Sequence, residues 1–207
     1  MIRKVIPSLL AVVLIVSLVS AVSQAQPLMT RHVRDAVVNG QAQSIGRLPA
    51  TQSMHFDIVL ALRHPAELDN FLQALYDPSS ANYRHFVTPK EFTERFGPSQ
   101  EDYDALLSFA KASGFAVVGG SRDAMDVQLK GTVAQVEKAF HVTMGDYQHP
   151  IENRTFFAPD REPTVDLPFS LWHISGLDNY SIPRPASLHR NTRAKSNAVK
   201  GSCPGGF

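Results

Sequence analysis

Several histidines and one short serine-containing segment are the residues of this chain whose types and spacing could do chemistry. Among the eight histidines, His141 and His149 flank a stretch with strand-like alternation, but no carboxylate or thiolate completes a metal-ligand set with them. Ser175-Gly176 is followed by Asp178, an order that suggests a nucleophile beside an acid. A working triad also needs a base within hydrogen-bond reach and an oxyanion hole, which adjacency in sequence does not supply. We therefore interpret this segment as a turn that closes a domain.

Recognised catalytic and cofactor motifs are missing from the sequence. It contains no Gly-x-Ser-x-Gly elbow, no His-Glu-x-x-His zinc motif, no phosphate-binding loop and no Cys-x-x-Cys pair. The single cysteine, Cys203, can form a disulfide only with a cysteine outside these 207 residues, in another chain or in further sequence of the same protein. The sequence therefore predicts a chain that is not itself an enzyme and that binds no cofactor or metal ion.

Residues 76–98 combine aromatic side chains with turn and capping signals. They contain, in order, Tyr-Asp-Pro-Ser-Ser, Tyr-Arg-His-Phe, Thr-Pro-Lys-Glu-Phe and Phe-Gly-Pro. Asp-Pro-Ser-Ser is typical of a helix end, because proline lacks a backbone donor and Asp and Ser bind nearby backbone groups. Thr88 is a typical helix N-cap and Pro89 fits the first helical position. The segment therefore predicts a helix end, a turn and the start of a second helix.

These four motifs, in this order, resemble the hallmark of the pro-kumamolisin activation domain, the propeptide of the sedolisin family of serine-carboxyl peptidases. We call residues 76–98 the hallmark segment. Further along the chain, Phe156–Pro159 and Trp172–Asn179 resemble the closing motifs of the same family. The resemblance therefore extends over about residues 54–183.

The resemblance implies a function. Domains of this family are intramolecular chaperones and inhibitors of a secreted serine-type endopeptidase, and the expected partner is a sedolisin-type catalytic domain in cis or in trans. The catalytic Ser-Glu-Asp residues and the calcium site of such a peptidase belong to a domain that is absent from this chain. One alternative is a stand-alone or vestigial inhibitor that acts in trans. Another is a ferredoxin-like ligand-binding module, which would explain the fold but not the hallmark segment.

Two residues of the hallmark segment, His85 and Phe86, are candidates for partner binding or for a pH switch. A histidine that is buried in its neutral form must take up a proton as the pH falls, and this weakens the site that holds it. The alternative for His85 is a packed histidine that holds the loop by a hydrogen bond. Paired carboxylates of an acidic domain would add to the pH dependence, so we expect tight binding near neutrality and release in acid.

Hydrophobic periodicity predicts the elements that position these residues. Alternation predicts strands near 54–62, 115–118, 125–130 and 142–147, and helical spacing predicts helices near 65–75, 103–110 and 133–140. This order favours an α+β fold, a ferredoxin-like split β-α-β antiparallel sandwich with an extra helical insertion. The family resemblance implies the same fold, that of subtilisin-type propeptides.

A single sheet that is covered by helices on one side leaves its other face available to a partner. Subtilisin-type propeptides use that face against their protease, and the resemblance implies the same use here. Four residues of two predicted strands are candidates for this outward face: Val118, Asp126, Gln128 and Lys130.

The two ends of the chain differ in composition from the middle. Arg3 and Lys4 precede an apolar run, and Ser23-Gln24-Ala25 supplies small residues, so residues 1–25 predict a signal peptide and a secreted or extracytoplasmic chain. Residues 26–53 are polar and weakly periodic, which predicts a flexible leader before a domain at 54–183. No later segment predicts a membrane span.

Charge is distributed unevenly along the sequence. Residues 26–183 carry 13 Lys and Arg against 19 Asp and Glu, whereas residues 184–207 are basic and contain no acid. We interpret 184–207 as a linker toward a missing catalytic domain, with Arg190, Arg193 and Lys195 in the processing region. The acidic body and the lack of a recognition motif disfavour a nucleic-acid partner.

Overall fold

The computed structural model describes residues 26–183, and this part of the chain has an α+β fold. Its helices are α1 (Asp35–Val38), α2 (Pro65–Tyr76), α3 (Pro89–Phe96), α4 (Gln100–Ala112) and α5 (Val133–Phe140). Its strands are β1 (Gln26–Pro27), β2 (Ser44–Arg47), β3 (Ser53–Leu60), β4 (Ala116–Ser121), β5 (Asp126–Thr132), β6 (Met144–Gln148), β7 (Thr155–Pro159), β8 (Thr164–Val165) and β9 (Leu171–Ser175). The predicted α+β class is confirmed.

Several predictions concern residues outside the described range. These are the signal peptide at 1–25, the basic linker at 184–207 and the lone Cys203. The processing residues Arg190, Arg193 and Lys195 also lie there. Between residues 26 and 183, none of the helices is long and apolar enough to cross a membrane.

A four-stranded antiparallel sheet, with strand order β4-β5-β3-β9, lies at the centre of the domain. In β3 the alternate residues from Met54 to Leu60 are buried, which is the period-2 pattern of a strand with one dry face. Ile58 lies opposite Val127 of β5 on one side and Ile174 of β9 on the other. The first and third strands of the motif, β3 and β5, therefore occupy the centre, as in the predicted ferredoxin-like sandwich.

Helices α4 and α5 begin where their capping residues predict. The Ser99 side chain accepts a hydrogen bond from the Asp102 N–H at 3.0 Å and caps α4. Thr132 and Gln135 form a reciprocal capping box at the start of α5. Both helices therefore start at positions that fix which of their faces meets the sheet.

The core lies between these two helices and one face of the central sheet. The Phe56 ring of β3 lies 4.9 Å from the Phe115 ring and 5.7 Å from the Phe140 ring, measured between centroids, and both contacts are edge-to-face. Leu106 of α4 and Val136 of α5 are fully buried in the same cluster. Burial of this apolar stripe, more than helix propensity, holds the helices on the sheet.

The strand predicted at 142–147 exists as β6, but it does not belong to the central sheet. β6 pairs with β2 and β7 in a separate three-stranded sheet, and β9 supplies the fourth central strand instead. His141 ends α5 in the left-handed conformation with a φ of 55°, and β6 follows in the other sheet. Alternation identifies a strand without identifying its partner, which is why this assignment was wrong.

The segment at 26–53, predicted to be a flexible leader, packs against the domain in the structure. β1 pairs with β8, and β2 pairs with β6. Five of its side chains are buried: His32, Val33, Ala36, Ala42 and Leu48. Single apolar residues at irregular spacing in a polar segment produce no periodic signal, so the sequence pattern did not reveal this packing.

The helical insertion between β3 and α4 contains the hallmark segment. After α2, the Asp77 carboxylate accepts hydrogen bonds from the backbone N–H and the hydroxyl of Ser79, at 2.8 and 2.7 Å. Thr88 and Glu91 form the capping box that starts α3, and Pro89 occupies the first turn. The predicted helix end, turn and helix start are therefore all present.

Phe96, at the end of α3, packs α3 against α2 within the insertion. It is fully buried, and its ring centroid lies 5.7 Å from that of Phe71 and 5.3 Å from that of Phe92. Arg122, in the turn between β4 and β5, binds the Glu94 carboxylate at 2.8 Å and thereby ties α3 to the sheet.

Candidate functional site

One face of the central sheet, on the side away from α4 and α5, meets solvent. Its side chains alternate with the buried residues of the same strands: His55, Asp57 and Val59 of β3, Asp126, Gln128 and Lys130 of β5, and His173 and Ser175 of β9. All of these residues are exposed or half-exposed. We call this surface the open face. The same strands thus present a dry core on one side and a polar surface on the other.

The edge strand β4 contributes Val118 to the open face through a β-bulge. The pairing register of β4 with β5 shifts between Val117 and Gly119. Val118 is 54% exposed and lines the same depression as Gln128. A bulge of this kind re-aims a side chain and interrupts the regular ladder at the sheet edge. The four predicted outward residues therefore lie on one surface: Val118, Asp126, Gln128 and Lys130.

A shallow depression of about 300 Å³ lies near the middle of the open face. Its lining side chains include His55, Asp57, Val118, Gln128 and Ser175. Gly176 borders it in a left-handed conformation with a φ of 92°, and a Cβ there would lie 2.7 Å from the His55 carbonyl oxygen. The depression offers hydrogen-bonding groups around one exposed valine, a mixture typical of non-obligate protein interfaces.

Ser175 and Asp178 are not arranged as a catalytic pair. The Asp178 carboxylate binds the Arg34 guanidinium at 2.9 Å and accepts a hydrogen bond from the Tyr180 N–H at 2.9 Å, whereas Ser175 is exposed on the open face. This geometry supports the interpretation of the segment as a closing turn. Across residues 26–183, no group of three or more His, Cys, Asp or Glu side chains could hold a metal ion.

Residues 176–180, which we call the exit segment, are held against the three-stranded sheet. The Asn179 side-chain oxygen accepts a hydrogen bond from the Phe157 N–H at 2.7 Å. The Arg154 guanidinium donates to the carbonyl oxygens of Asn179 and Tyr180. The Tyr180 ring stacks on the His149 ring with a centroid distance of 4.5 Å. The chain therefore leaves the domain from a fixed point.

The two hallmark candidates, His85 and Phe86, do not belong to the open face. Both lie in the loop between α2 and α3 and are exposed, Phe86 to 68%. His85 lines a depression of about 370 Å³ together with Val87 and Arg95. Because its ring is exposed, His85 lacks the burial that a histidine switch requires.

A buried histidine lies elsewhere, at a position that sequence reasoning missed. His32 is 5% exposed, and its ring stacks on that of His173 with centroids 4.5 Å apart. Burial and then the neighbouring His173 lower the pKa of His32, and burial also lowers the pKa of His173. No local pattern marks either residue, since one lies in a polar segment and the other in a strand that was not predicted.

Comparison with known proteins agrees with this architecture. A family model described as Pro-kumamolisin, activation domain, matches residues 40–180. The chain is 29% identical to xanthomonalisin of a Xanthomonas species over 160 aligned residues. The aligned residues cover 76% of this chain and 19% of that protein. It is 26% identical over 115 residues to a tripeptidyl-peptidase of Arthroderma otae, 55% of this chain and 17% of that protein. It is 23% identical over 160 residues to sedolisin of a Pseudomonas species, 76% of this chain and 27% of that protein.

The chain thus spans 17% to 27% of the length of these curated relatives. The matched part is the propeptide region, and the catalytic domain of the relatives falls outside the match.

Proposed function

The chain belongs to the pro-kumamolisin activation domain family, and we propose that it is the chaperone and inhibitor of a secreted sedolisin-type serine peptidase. In this proposal the open face docks on the catalytic domain, and the chain beyond the exit segment runs through the substrate cleft. The partner is in cis if both domains belong to one precursor and in trans if they are separate. The observation that supports this proposal most directly is an open sheet face on a domain of this family.

The chemistry of the open face suits a folded protein partner better than a small ligand. The depression at its centre is shallow, and polar groups of His55, Asp57 and Gln128 surround the apolar side chain of Val118. A small-molecule site is usually a deep and mostly apolar cleft. A broad, mostly polar surface whose depression is lined by an exposed apolar side chain instead resembles a protein–protein interface with a small anchor.

Binding of the folded catalytic domain would explain both chaperone and inhibitor roles. A partner that binds only the folded state stabilises that state by its own binding free energy. A domain with a Kd of about 1 μM, tethered at an effective concentration of roughly 1 mM, would stabilise the folded peptidase by about 4 kcal/mol. The same contact would hold the tail in the cleft and exclude substrate.

The exit segment would set the direction in which the tail enters the cleft. Arg154 and Asn179 hold the backbone of the exit segment against β7, so the chain is oriented up to Tyr180. The basic residues Arg190, Arg193 and Lys195 follow in the sequence and are the proposed processing region. Cleavage there would separate the two domains, and any calcium site would remain with the catalytic domain.

The proposal is tested by adding residues 26–207 to a mature sedolisin-type peptidase, such as xanthomonalisin, and measuring peptide hydrolysis near neutral pH. We expect inhibition by the unmodified chain. Val118→Arg places a charged side chain in the depression of the open face and should weaken inhibition by at least about tenfold. A chain that does not inhibit in trans at micromolar concentration would contradict the inhibitor role.

Ile45→Arg is the matched control, because Ile45 is a β-branched residue on β2, outside the open face, with 53% exposure against 54% for Val118. It should inhibit as the unmodified chain does. Equal loss of inhibition in both variants would show that the open face is not the docking surface. Circular dichroism and thermal unfolding of both variants verify that each remains folded.

A further inference from the structure

Residues 28–34, which we call the strap, lie along the outer edge of β9. The Met29 N–H donates to the Leu171 carbonyl oxygen at 2.9 Å. The Thr30 hydroxyl donates to the Trp172 carbonyl oxygen at 2.9 Å. An uncovered edge strand presents unpaired backbone groups that invite pairing with other chains, so the strap protects this edge.

His32 completes the strap through a hydrogen bond that requires a neutral ring nitrogen. The Ile174 N–H donates to His32 Nε2 at 2.9 Å, so Nε2 must be unprotonated and the ring proton lies on Nδ1. That Nδ1 atom is 3.6 Å from Glu162, whose carboxylate accepts the His32 backbone N–H at 2.8 Å. Arg31 lies 3.9 Å from the same carboxylate. A second proton on His32 would break the bond to β9.

The stacked partner His173 also has a defined hydrogen bond. The Thr30 hydroxyl donates its proton to the Trp172 carbonyl oxygen, so the hydroxyl oxygen acts as an acceptor toward His173. His173 Nδ1 is therefore the donor in this second hydrogen bond, which measures 2.8 Å. The His32 and His173 rings are stacked at 4.5 Å with an interplanar angle of 18°. Two imidazolium cations at this distance would repel each other with little water between them.

Charged groups near His32 and His173 shift the pKa values of the two rings in opposite directions. Burial and then His173 lower the pKa of His32, and they outweigh the Glu162 carboxylate, which raises it. Burial lowers the pKa of His173; the Asp178 carboxylate opposes this shift and Arg34 adds to it. The net preference of the site is for neutral rings.

The strap is also bonded to the exit segment. The Arg34 guanidinium binds both carboxylate oxygens of Asp178 at 2.9 Å, and it lies 5.7 Å from the centroid of the Tyr180 ring. Asp178 in turn accepts the Tyr180 N–H. Loss of the strap would therefore remove one of the supports of the exit segment.

We propose that the strap is an acid-released latch, in which His32 and His173 hold residues 28–34 on β9 near neutral pH and release both the strap and the exit segment on acidification. Only the expected consequence of this inference, a looser tail beside the open face, rests on the proposed function. The latch itself is a property of the isolated chain.

The direction of the effect follows from the two protonation states. When the strap is open, both rings take up protons at their ordinary pKa of about 6.5. When it is closed, uptake occurs only at lower pH, because the pKa of each ring is lowered. The closed latch is therefore fully stable above the ordinary histidine pKa and loses stability as the pH falls below it, until the lowered values are reached.

Hydrogen exchange of residues 26–207 without peptidase, measured from pH 7.5 to pH 5.0 and corrected for intrinsic rates, tests the latch. Peptides covering the strap and residues 171–180 should lose protection by at least about tenfold, while those covering β3 and β5 keep theirs. His32→Gln supplies a neutral acceptor for the Ile174 N–H and should remain protected at pH 5.0. His64→Gln, at an exposed histidine outside the open face, should show the same exchange as the unmodified chain.

Unchanged protection of the strap across this pH range would overturn the proposal, as would a His32→Gln variant that opens with pH as the unmodified chain does. If His32→Gln is already open at pH 7.5, a nuclear magnetic resonance titration of His32 decides the question. A His32 pKa at or above the ordinary value would then overturn the latch, and a lowered one would support it. Because no peptidase is present, these outcomes are independent of the inhibition assay.

Discussion

The hallmark segment and the strap are held by different kinds of contact. In the hallmark segment the bonds that shape the backbone join residues close in sequence, such as Asp77 with Ser79 and Thr88 with Glu91. In the strap the bonds to β9 reach residues about 140 positions away: Thr30 with His173 and His32 with Ile174. The hallmark segment therefore carries its structure in its own sequence, whereas the strap acquires structure only from the folded domain.

The two regions also differ in the pH range in which acid acts on them. Hydrogen bonds from the Ser79 side chain and backbone lower the pKa of Asp77, and those from the Thr88 backbone and side chain lower that of Glu91. Such carboxylates stabilise the fold above their ordinary pKa of about 4 and lose this effect as the pH falls through the lowered values. The strap histidines respond earlier, below about pH 6.5. On acidification the strap should therefore lose stability before the hallmark segment does.

The largest effect is expected from a substitution that destabilises the hallmark segment without changing how its stability depends on pH. Phe96→Ala removes a fully buried ring and should lower the free energy of unfolding by about 3–5 kcal/mol. Because no titratable group is lost, urea denaturation should give the same decrease at pH 7.5 and at pH 5.5. Phe86→Ala, an exposed ring in the same segment, should change stability by less than about 0.5 kcal/mol. A decrease for Phe96→Ala that depends on pH would contradict the separation of the two regions.

A smaller effect is expected where the strap meets the exit segment. Asp178→Ala removes the carboxylate that binds Arg34 and accepts the Tyr180 N–H, and it should cost about 1–3 kcal/mol of local stability. Hydrogen exchange of residues 171–183 at pH 7.5 should therefore accelerate by about tenfold or more. Asp35→Ala, which removes an exposed pair with Arg31, is the control and should have little effect. Equal exchange in the two variants would show that the strap does not support the exit segment.

The smallest expected effect concerns the histidine that the sequence singled out. His85 is exposed, so His85→Gln should leave the profile of melting temperature against pH unchanged between pH 5.5 and pH 7.5. His32→Gln should flatten the same profile, because it removes the buried ring. A flattened profile for His85→Gln would indicate instead that the pH switch lies in the hallmark segment.

Most of the central fold could be predicted because its signals are local. Alternation in β3, the Thr132–Gln135 capping box and the proline at the start of α3 each specify an element over a few residues. The pairing of β6 could not be predicted in this way. A strand that alternates can bury its apolar face in either of two sheets, and only the path of the chain after His141 decides which.

The candidate site likewise contains residues that local sequence signals predict and residues that they do not. The outward positions Val118, Asp126, Gln128 and Lys130 follow from the alternation of β5 and from a glycine-rich edge strand, and they lie together in the structure. The buried His32 could not be found, because burial depends on β9 and on Glu162, which are distant in sequence. Residue type indicated a histidine switch, but residue type does not specify which histidine is buried.

The most direct test of this account is the dissociation rate of residues 26–207 from a mature sedolisin-type catalytic domain whose nucleophilic serine has been replaced. The rate is measured from pH 7.5 to pH 4.5, without proteolysis of the bound chain. We expect slow dissociation near neutrality and a rate at least about tenfold higher below pH 5, because histidines gain charge and carboxylates lose it. A dissociation rate that stays constant or decreases on acidification would contradict it.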